Sequence, residues 1–299
     1  MVDVERPFRS QSDVRAMVLT YRRPREATRT VRHLVEVEGF EPRDVLLVVN
    51  AEGGLDDESL ASEVELLVLQ ENSGPAGGFR AGLEHLSALD GVAWVYVCED
   101  DAGELSLPAP RVTALRELAD EWIESGHRPG AIVAYGRRLD RRTGLTIPHD
   151  PDPHGPRLQP TDVAAWGSTL ISVDALRRGV LPDPAWFFGY EDFDFFLRLR
   201  ATGYEVLLDR DSALAVRCER LHGHGSVGEV AAWRSYYAAR NFLELRRRHG
   251  HLGWTVVHVL KSVRRAQLSR SRATRRSIAR GLVDGFRRRL GRDPSGAGP

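Results

Sequence analysis

Carboxylates occur in two compact groups, and the first lies at the end of an apolar run. Residues 92–98 lack polar alternation, which is typical of a strand buried on both faces, and Glu99, Asp100 and Asp101 follow directly. Three adjacent acids repel one another, so folding alone would not favour them. A divalent cation bound by their oxygens would offset the repulsion, with a diphosphate as its second partner. The alternative is a polar strand end whose acids are solvated.

The second group of acids lies among aromatic residues. Glu191, Asp192 and Asp194 follow Trp186, Tyr190 and two phenylalanines. A carboxylate surrounded by aromatic rings is partly desolvated, which raises its pKa and suits a general base. The structural alternative is that these acids begin a helix, where they cap free N–H groups and face the positive end of the helix dipole.

A glycine-rich stretch has the composition of an anion-binding loop. Residues 72–82 begin with Asn72, include Gly77 and Gly78, and precede a helix predicted over 83–89. Bare N–H groups at a helix N-terminus favour phosphate, although the glycines could equally serve packing. The stretch matches neither a Walker motif nor a dinucleotide fingerprint.

Two histidines form a His-x-His pattern beside glycines. His222 and His224 could supply a metal ligand or a phosphate donor. Histidines in a loop can also be merely solvated. Both interpretations stay open on the residues alone.

Apolar runs and helical spacings alternate in the first hundred residues. Runs at 14–21, 45–49 and 64–69 predict strands, and the spacing of apolar residues over 22–37 predicts a helix. This rhythm predicts parallel neighbours with right-handed crossovers, and ligands bind such sheets beyond the carboxyl ends of the strands. The polar residues expected together at that edge are Thr20, Tyr21, Asn50, Glu71, Asn72 and the acids 99–101.

The rest of the chain continues as mixed α/β and ends in helices. The predicted elements are a helix over 111–125, a strand over 131–135, a hairpin and long loop over 137–160, a central strand over 163–173 with a bend at Gly167, a helix over 194–201, strands over 204–208 and 214–218, and helices over 229–249, 253–268 and 272–290.

Overall charge is balanced, but the C-terminal part is basic. The 299 residues contain 42 basic and 42 acidic residues, whereas 261–292 holds Lys261 and eleven arginines against Asp284 alone. The last helix has an apolar stripe opposite its arginines, which suits either an anionic membrane face or docking on the domain. We expect a cytoplasmic protein, peripheral at the inner face of the plasma membrane, because no secretory signal or membrane-spanning run is present.

In chain order these stretches resemble the family 2 glycosyltransferases of the GT-A fold, most closely bacterial enzymes that add rhamnose or galactofuranose to cell-envelope glycans. The likeness covers residues 14–250. It rests on the Thr20-Tyr21 strand end, the 72–78 loop, the acid triplet, the Glu191-Asp192-x-Asp194 segment, the histidine loop, and Tyr236-Tyr237-x-x-Arg240-Asn241.

The resemblance implies a fold and a division of the chain. It implies an α/β fold with a central, mostly parallel mixed sheet flanked by helices. A GT-A domain would span 1–228, with a nucleotide-sugar half over about 14–135 and an acceptor half over about 136–228. A helical, Arg-rich extension over 229–292 and a disordered tail over 293–299 would follow.

The resemblance also implies donor-binding roles. Thr20, Tyr21 and Asn50 would border the nucleotide. Asn72 and the Gly77-Gly78 backbone would approach the sugar and diphosphate. The remaining donor-site residues would be Asp100, near the ribose or donor sugar, and Arg80.

Catalytic, acceptor and metal roles follow in the same way. Asp192 would deprotonate the acceptor hydroxyl, and Glu191 would orient the acceptor. Trp186 and Tyr190 would contact the acceptor. The ligands for Mg²⁺ or Mn²⁺ would be Glu99, Asp101 and one of two histidines, His222 or His224.

Three positions depart from the family pattern. Glu99 and Asn50 stand where the family commonly has Asp, and Arg80 replaces a small polar residue. The longer Glu99 side chain shifts the metal-binding carboxylate, and the Asn50 amide leaves nucleotide preference open between UDP- and dTDP-linked donors.

The implied partners are a UDP- or dTDP-linked sugar donor and a glycan or polyprenyl-linked acceptor, with no nucleic acid. One alternative is a sugar nucleotidyltransferase on a related fold, although Lys261 is the only lysine and lies far from the phosphate loop. Another is a non-enzymatic protein that binds anionic polymers through the Arg-rich segment. Residues 14–250 contain no nucleic-acid-binding module.

Overall fold

The computed structural model describes residues 13–100, 107, 109–222 and 231–295, without the side chains of 218–222. A central sheet of eight strands organises the molecule. In spatial order the strands are β3 (Glu65–Val68), β2 (Val45–Val49), β1 (Val14–Thr20), β4 (Trp94–Glu99), β10 (Thr169–Ser172), β5 (Pro129–Val133), β11 (Glu205–Asp209) and β8 (Leu158–Pro160).

Six of these strands run in the same direction. β1 pairs in parallel with β2 and β4, β2 with β3, and β11 with β5, whereas β10 is antiparallel to both β4 and β5 and β8 is antiparallel to β11. A second, antiparallel sheet contains β6 (Gly136–Leu139), β7 (Thr146–Pro148) and β9 (Val163–Ala164). The prediction of a mostly parallel mixed sheet is confirmed.

Helices cover both faces of the sheet. They are α1 (Pro24–Glu36), α2 (Glu58–Glu63), α3 (Gly74–Ser87), α4 (Arg111–Glu124), α5 (Val173–Arg177), α6 (Glu191–Ala201), α7 (Arg210–His222), α8 (Ala232–His249), α9 (Leu252–Leu268) and α10 (Arg272–Phe286). Successive residues of a strand point to opposite faces, so β1 sends Met17 into a core with α3 and α6, and Val18 into a core with α1 and α4.

The last three helices pack on one another rather than on the sheet alone. A Cβ added at Gly281 of α10 would lie 2.4 Å from the Tyr236 carbonyl oxygen of α8, so glycine permits this close helix pair. Ile278 is buried in the contact. The apolar stripe predicted on the last helix is therefore covered only in part, because Val283 and Phe286 remain 47% and 55% exposed. The division of the chain near residue 228 stays a prediction.

Two predictions about local structure are wrong. Residues 214–218 belong to α7 and form no strand, because the Asp209 carboxylate accepts the Ser212 N–H at 3.2 Å and caps a helix-favouring sequence. Disorder does not begin at residue 293. Asp293 is buried, its N–H donates to the Tyr237 hydroxyl at 2.8 Å, and Arg280 donates to its carboxylate.

Candidate active site

A cleft of about 610 Å³ opens at the sheet edge where β1, β2 and β4 end. Residues predicted at the strand ends contribute to its walls: Thr20, Tyr21, Asn50, Asn72, Glu99 and Asp100. The other wall residues are Leu19, Arg22, Arg23, Pro75, Phe79, Phe188, Trp233 and Arg234. The structure thus brings these six strand-end residues together, although their contacts with a ligand stay predictions. Glu71 is exposed and does not line the cleft, and Asp101 lies outside the described residues.

Asp100 is held by three side chains in the floor of the cleft. Thr20 donates its hydroxyl to the carboxylate at 3.2 Å, and Arg23 forms an ion pair with it at 3.0 Å. The Thr30 hydroxyl donates to the Asp100 carbonyl at 2.6 Å. Asp100 is only 7% exposed, so these bonds orient a nearly buried carboxylate.

Asn50 organises the start of α3. Its amide nitrogen donates to the Asn72 side chain and to the Gly74 carbonyl, each at 3.2 Å. Its oxygen accepts the Ser73 N–H at 2.9 Å and the Ser73 hydroxyl at 3.1 Å. All four hydrogen-bonding positions of the amide are filled by protein groups. This arrangement favours a positioning role and does not favour the predicted contact with a base.

The glycine-rich stretch is largely helix. α3 begins at Gly74, with Asn72 accepting the Gly74 N–H at 2.9 Å, so the predicted turn before a helix at residue 83 is wrong. A Cβ at Gly78 would lie 2.4 Å from the Leu19 side chain, and one at Gly77 would lie 2.5 Å from the Ser73 side chain. The packing explanation for these glycines is therefore supported, and their approach to a diphosphate stays a prediction.

Arg80 points away from the cleft. Its guanidinium donates to the Pro182 carbonyl at 3.3 Å and lies 3.5 Å from Glu84, one turn along α3. It is not among the residues that form the cleft walls. The prediction that Arg80 contacts the donor is therefore corrected. Its side chain links α3 to the segment before Trp186.

The loop before α6 is strained and is held by α8. Phe187 and Tyr190 have positive φ angles of 61° and 69°, which non-glycine residues rarely adopt. Asn241 donates its amide to the carbonyls of Phe188 and Gly189, both at 2.8 Å, and to that of Trp186 at 3.1 Å. These bonds fix the direction in which α6 begins.

Arg240 reinforces the same loop from a buried position. It donates to the Trp186 carbonyl at 2.9 Å and to the Gly291 carbonyl at 2.6 Å, and its guanidinium lies 4.8 Å from the ring centre of Tyr237. The Tyr236–Asn241 segment therefore has a structural explanation. It anchors the loop that leads into α6, where the candidate base Asp192 lies.

Trp186 does not contact an acceptor. Its side chain is fully buried, with the Arg248 guanidinium 4.9 Å from its ring centre. The prediction of acceptor binding by Trp186 is therefore wrong, because no solvent-facing surface remains.

Tyr190 is partly buried, and its ring packs edge-on against Phe193 and Phe242, with ring centres 5.6 Å apart. Burial, followed by the charge of Asp192, raises the pKa of Tyr190 to about 12.

Glu191 and Asp192 are the first two residues of α6. Burial, followed by the charge of Asp192, raises the pKa of Glu191 well above its usual value. Its Oε2 has no hydrogen-bond partner in the described part of the chain. Burial also raises the pKa of Asp192 to about 7, opposed by its bond from the Phe193 N–H and by the charge of Arg137. The helix-capping alternative accounts for the N–H bond but not for these elevated pKa values.

Glu99 connects the two groups of acids. It is exposed at the end of β4, and its charge contributes to the raised pKa of Glu191. A Cβ at Gly167 would lie 3.8 Å from the Glu99 carboxylate, so the bend predicted at Gly167 lies beside this acid. The cleft walls include Glu99 but neither Glu191 nor Asp192. Asp192 is instead influenced by Arg137, which lines a second cavity of about 440 Å³.

Asp194, two residues further along α6, has a structural environment. It is fully buried and contacts Arg198 at 2.8 Å, His249 at 2.9 Å and Arg248 at 3.5 Å. Burial opposes its ionisation, but the hydrogen bond with His249 and the charges of the two arginines outweigh it and lower the pKa of Asp194. Asp194 thus joins α6 to the end of α8.

The predicted metal site lies only partly within the described residues. Asp101 and His224 lie outside the described residues, and the side chain of His222 is not described. Among the described residues, no three acids, histidines or cysteines come close enough to hold a metal ion. Glu99 at the cleft and the unpartnered Glu191 oxygen are hard oxygen donors that suit Mg²⁺ or Mn²⁺. The described donors thus fit such an ion chemically without completing its site.

Several residues of the site escaped the sequence analysis. Arg23, Trp233 and Arg234 line the cleft although no motif includes them. Arg111 is buried and donates to the Ser168 carbonyl at 2.7 Å, which supports the bend beside Glu99. The sequence carries no signal that separates a buried or cleft-lining arginine from an exposed one, so only the tertiary contacts distinguish these residues.

The fold has counterparts among solved structures. Over 92% of this chain and 87% of the other, it is similar to the mannosyltransferase PcManGT from Pyrobaculum calidifontis, solved in complex with GDP-Man and Mn²⁺, with a TM-score of 0.50 and 13% identity. A weaker likeness, with a TM-score of 0.48 and 12% identity, is to GalNAc-T7 with UDP, GalNAc and Mn²⁺. It covers 84% of this chain and 57% of that one. No protein-family model and no curated protein matches the sequence.

The chain therefore has a GT-A type fold with a helical C-terminal extension.

Proposed function

We propose that the protein is a metal-dependent, inverting glycosyltransferase of the family 2 type that uses a UDP- or dTDP-linked sugar. The acceptor would be a glycan or polyprenyl-linked hydroxyl in cell-envelope polysaccharide synthesis, with rhamnose or galactofuranose as the transferred sugar. The observation that carries the proposal is the cleft at the carboxyl edge of a GT-A type sheet. Glu99 and Asp100 line this cleft with three arginines, and the charge of Glu99 helps to raise the pKa of buried Glu191.

The cleft suits a nucleotide diphosphate. Thr20 and Tyr21 would border the base and ribose, and cationic side chains at the cleft would face the diphosphate. Arg22 and Arg23 are paired with Glu52 and Asp100, whereas Arg234 forms no ion pair with another described residue. We therefore assign Arg234 the main cationic contact with the leaving group.

The metal proposal rests on carboxylates at the same cleft. Glu99, together with Asp101 and His222 or His224, would hold Mg²⁺ or Mn²⁺. When bound, the ion neutralises charge on the nucleotide diphosphate. The protein's own contribution is to place Glu99 beside the Gly167 bend and to keep Asp100 oriented through Thr20.

Asp192 is proposed as the general base and Glu191 as a residue that orients the acceptor. The acceptor would enter through the 440 Å³ cavity, where Arg137 and the 148–151 segment form walls. The acceptor oxygen bonds to the anomeric carbon as the bond from that carbon to the diphosphate oxygen breaks. The hydroxyl proton passes to Asp192, and the nucleotide diphosphate leaves with the bonding electrons.

A thermal-shift screen with product analysis tests the proposal. UDP-, dTDP- and GDP-sugars are added with Mn²⁺ or with EDTA, and we expect a UDP- or dTDP-sugar to raise the Tm most, with a larger rise in Mn²⁺. Glu99→Gln should reduce the Mn²⁺-dependent part of that rise, with Glu84→Gln on the outer side of α3 as a control. Equal shifts with EDTA would remove the metal role. Release of pyrophosphate from a nucleoside triphosphate and a sugar phosphate would instead indicate a nucleotidyltransferase.

A further inference from the structure

α9 exposes a continuous apolar stripe. Leu252, Val256, Leu260 and Val263 recur at helical spacing, so they share one face, and they are 73%, 58%, 64% and 43% exposed. We call these four residues the α9 stripe. The opposite face of the helix is buried, with His258 stacked on Phe242 of α8 at 4.3 Å. Exposed apolar side chains in such a row usually mark a contact surface.

A basic pocket lies at the end of the same helix. Four cationic residues and exposed Leu268 line a cavity of about 590 Å³ where α9 turns into α10, and no carboxylate contributes to its walls. The elbow cluster consists of Lys261, Arg264, Arg265 and Arg270. None of these four side chains makes an ion pair with another residue that the structure describes, so their mutual repulsion is not offset within the chain.

The two features together indicate the chemistry of the partner. Phosphate groups would satisfy the elbow cluster, and hydrocarbon would cover the α9 stripe. A lipid monolayer presents both at adjacent depths. A second copy of the chain would supply hydrocarbon, but α9 contains no Asp or Glu that could pair with the elbow cluster of its partner. Charge complementarity therefore favours an anionic membrane over a dimer.

We propose that α9 and the α9–α10 elbow form a surface that rests on an anionic bilayer, with the α9 stripe at the boundary of headgroups and acyl chains. The sequence left the apolar stripe of the last helix open to a membrane face or to docking on the domain. In the structure α10 buries Ile278 but exposes Val283 and Phe286, and the longer exposed apolar row is the one on α9. No helix among the described residues is long and apolar enough to cross a bilayer. The attachment proposed is therefore to the membrane surface, and it does not depend on glycosyl transfer.

Co-sedimentation with vesicles tests this inference on the full chain. The probes are vesicles of phosphatidylcholine alone and vesicles that also contain phosphatidylglycerol, at low and high salt. We expect binding only to the anionic vesicles, weakened by salt. Arg264→Gln/Arg270→Gln should weaken binding about 30-fold, since each cation near such a surface contributes about fivefold. Val256→Gln/Leu260→Gln should weaken it at least about tenfold through lost apolar burial.

The control and the contrary outcomes are defined by the same assay. Arg25→Gln/Arg43→Gln removes two exposed cations elsewhere and should leave sedimentation unchanged, and circular dichroism checks that every variant is folded. Equal binding to neutral vesicles, or an equal loss in the control, overturns the proposal. So does complete displacement by inorganic phosphate with no effect of the stripe variant, which would indicate a soluble phosphate ligand. A dimer that the stripe variant dissociates, without vesicle binding, would indicate self-association instead.

Discussion

Asp192 and Asp194 lie two residues apart in the first turn of one helix, yet their surroundings shift their pKa values in opposite directions. Asp194 is fully buried among Arg198, Arg248 and His249, and its pKa is lowered. Asp192 has no ion pair within 4 Å among the described residues, and burial raises its pKa to about 7. Both suit the helix dipole equally.

The comparison shows that helix position alone does not assign a function to an acid. A side chain that points towards α8 meets cations and becomes part of the fold. Among cations, Asp192 by contrast is influenced mainly by the charge of Arg137 on β6. Its pKa of about 7 allows it to accept a proton near neutral pH. The partners across the helix decide the role.

Replacing Asp192 should have the largest effect on activity. We expect Asp192→Asn to lower turnover by about 10²–10⁴, because a positioned base contributes that much, while donor binding stays close to wild type and Tm does not fall. Kinetics with the donor sugar identified by the thermal-shift screen provide the measurement. Near-wild-type turnover would show that another group accepts the proton.

Replacing Asp194 should chiefly affect stability. Asp194→Ala removes the fully buried carboxylate that Arg198, Arg248 and His249 share. Arg248 keeps its pairs with Asp183 and Glu244, so we expect the free energy of unfolding in urea to fall by about 1.5–3 kcal/mol. Glu52→Gln, which breaks the exposed pair with Arg22, should leave it nearly unchanged. If Asp194→Ala were as stable as wild type but inactive, the division between the two acids would be reversed.

The pH dependence of kcat/KM should follow the raised pKa of Asp192. The base must be deprotonated, so activity should fall about tenfold per pH unit below the pKa of about 7. Arg137 opposes that elevation, and Arg137→Gln should therefore move the acid limb to higher pH. A limb near the ordinary carboxyl value of about 4 would contradict the environment described for Asp192.

The contributions of Glu191 and Asp194 to folding stability should change with pH in opposite directions. The pKa of folded Glu191 is raised, so wild-type stability is lost as pH rises from the unfolded pKa towards the folded one. Glu191→Gln should gain stability relative to wild type over that range, by about 1.4 kcal/mol for each pH unit. The pKa of Asp194 is lowered, so its contribution is present above its unfolded pKa and is lost as pH falls through its folded value. Urea unfolding at about pH 4 and about pH 8 measures both.

The strands and their polar ends could be predicted because their signals are local. Uninterrupted apolar runs such as 45–49 form buried strands, and Thr20 and Asp100 follow from strand ends. The helical state of 214–218 could not be predicted because a short apolar run suits either structure, and the Asp209 cap decides between them. The burial of Trp186 could not be predicted because aromatic composition does not show whether a ring faces a ligand or the core.

By itself, the amino-acid sequence determined the mixed sheet, the edge at which polar residues gather, and the presence of acids at the start of α6. The tertiary structure alone decided which acid meets cations, that Asn50 braces a turn, and that α9 exposes a row of four apolar side chains while α10 buries Ile278. The reason is physical. Strand and helix formation depend on side chains within a few residues, whereas burial and charge pairing depend on groups brought together from distant parts of the chain.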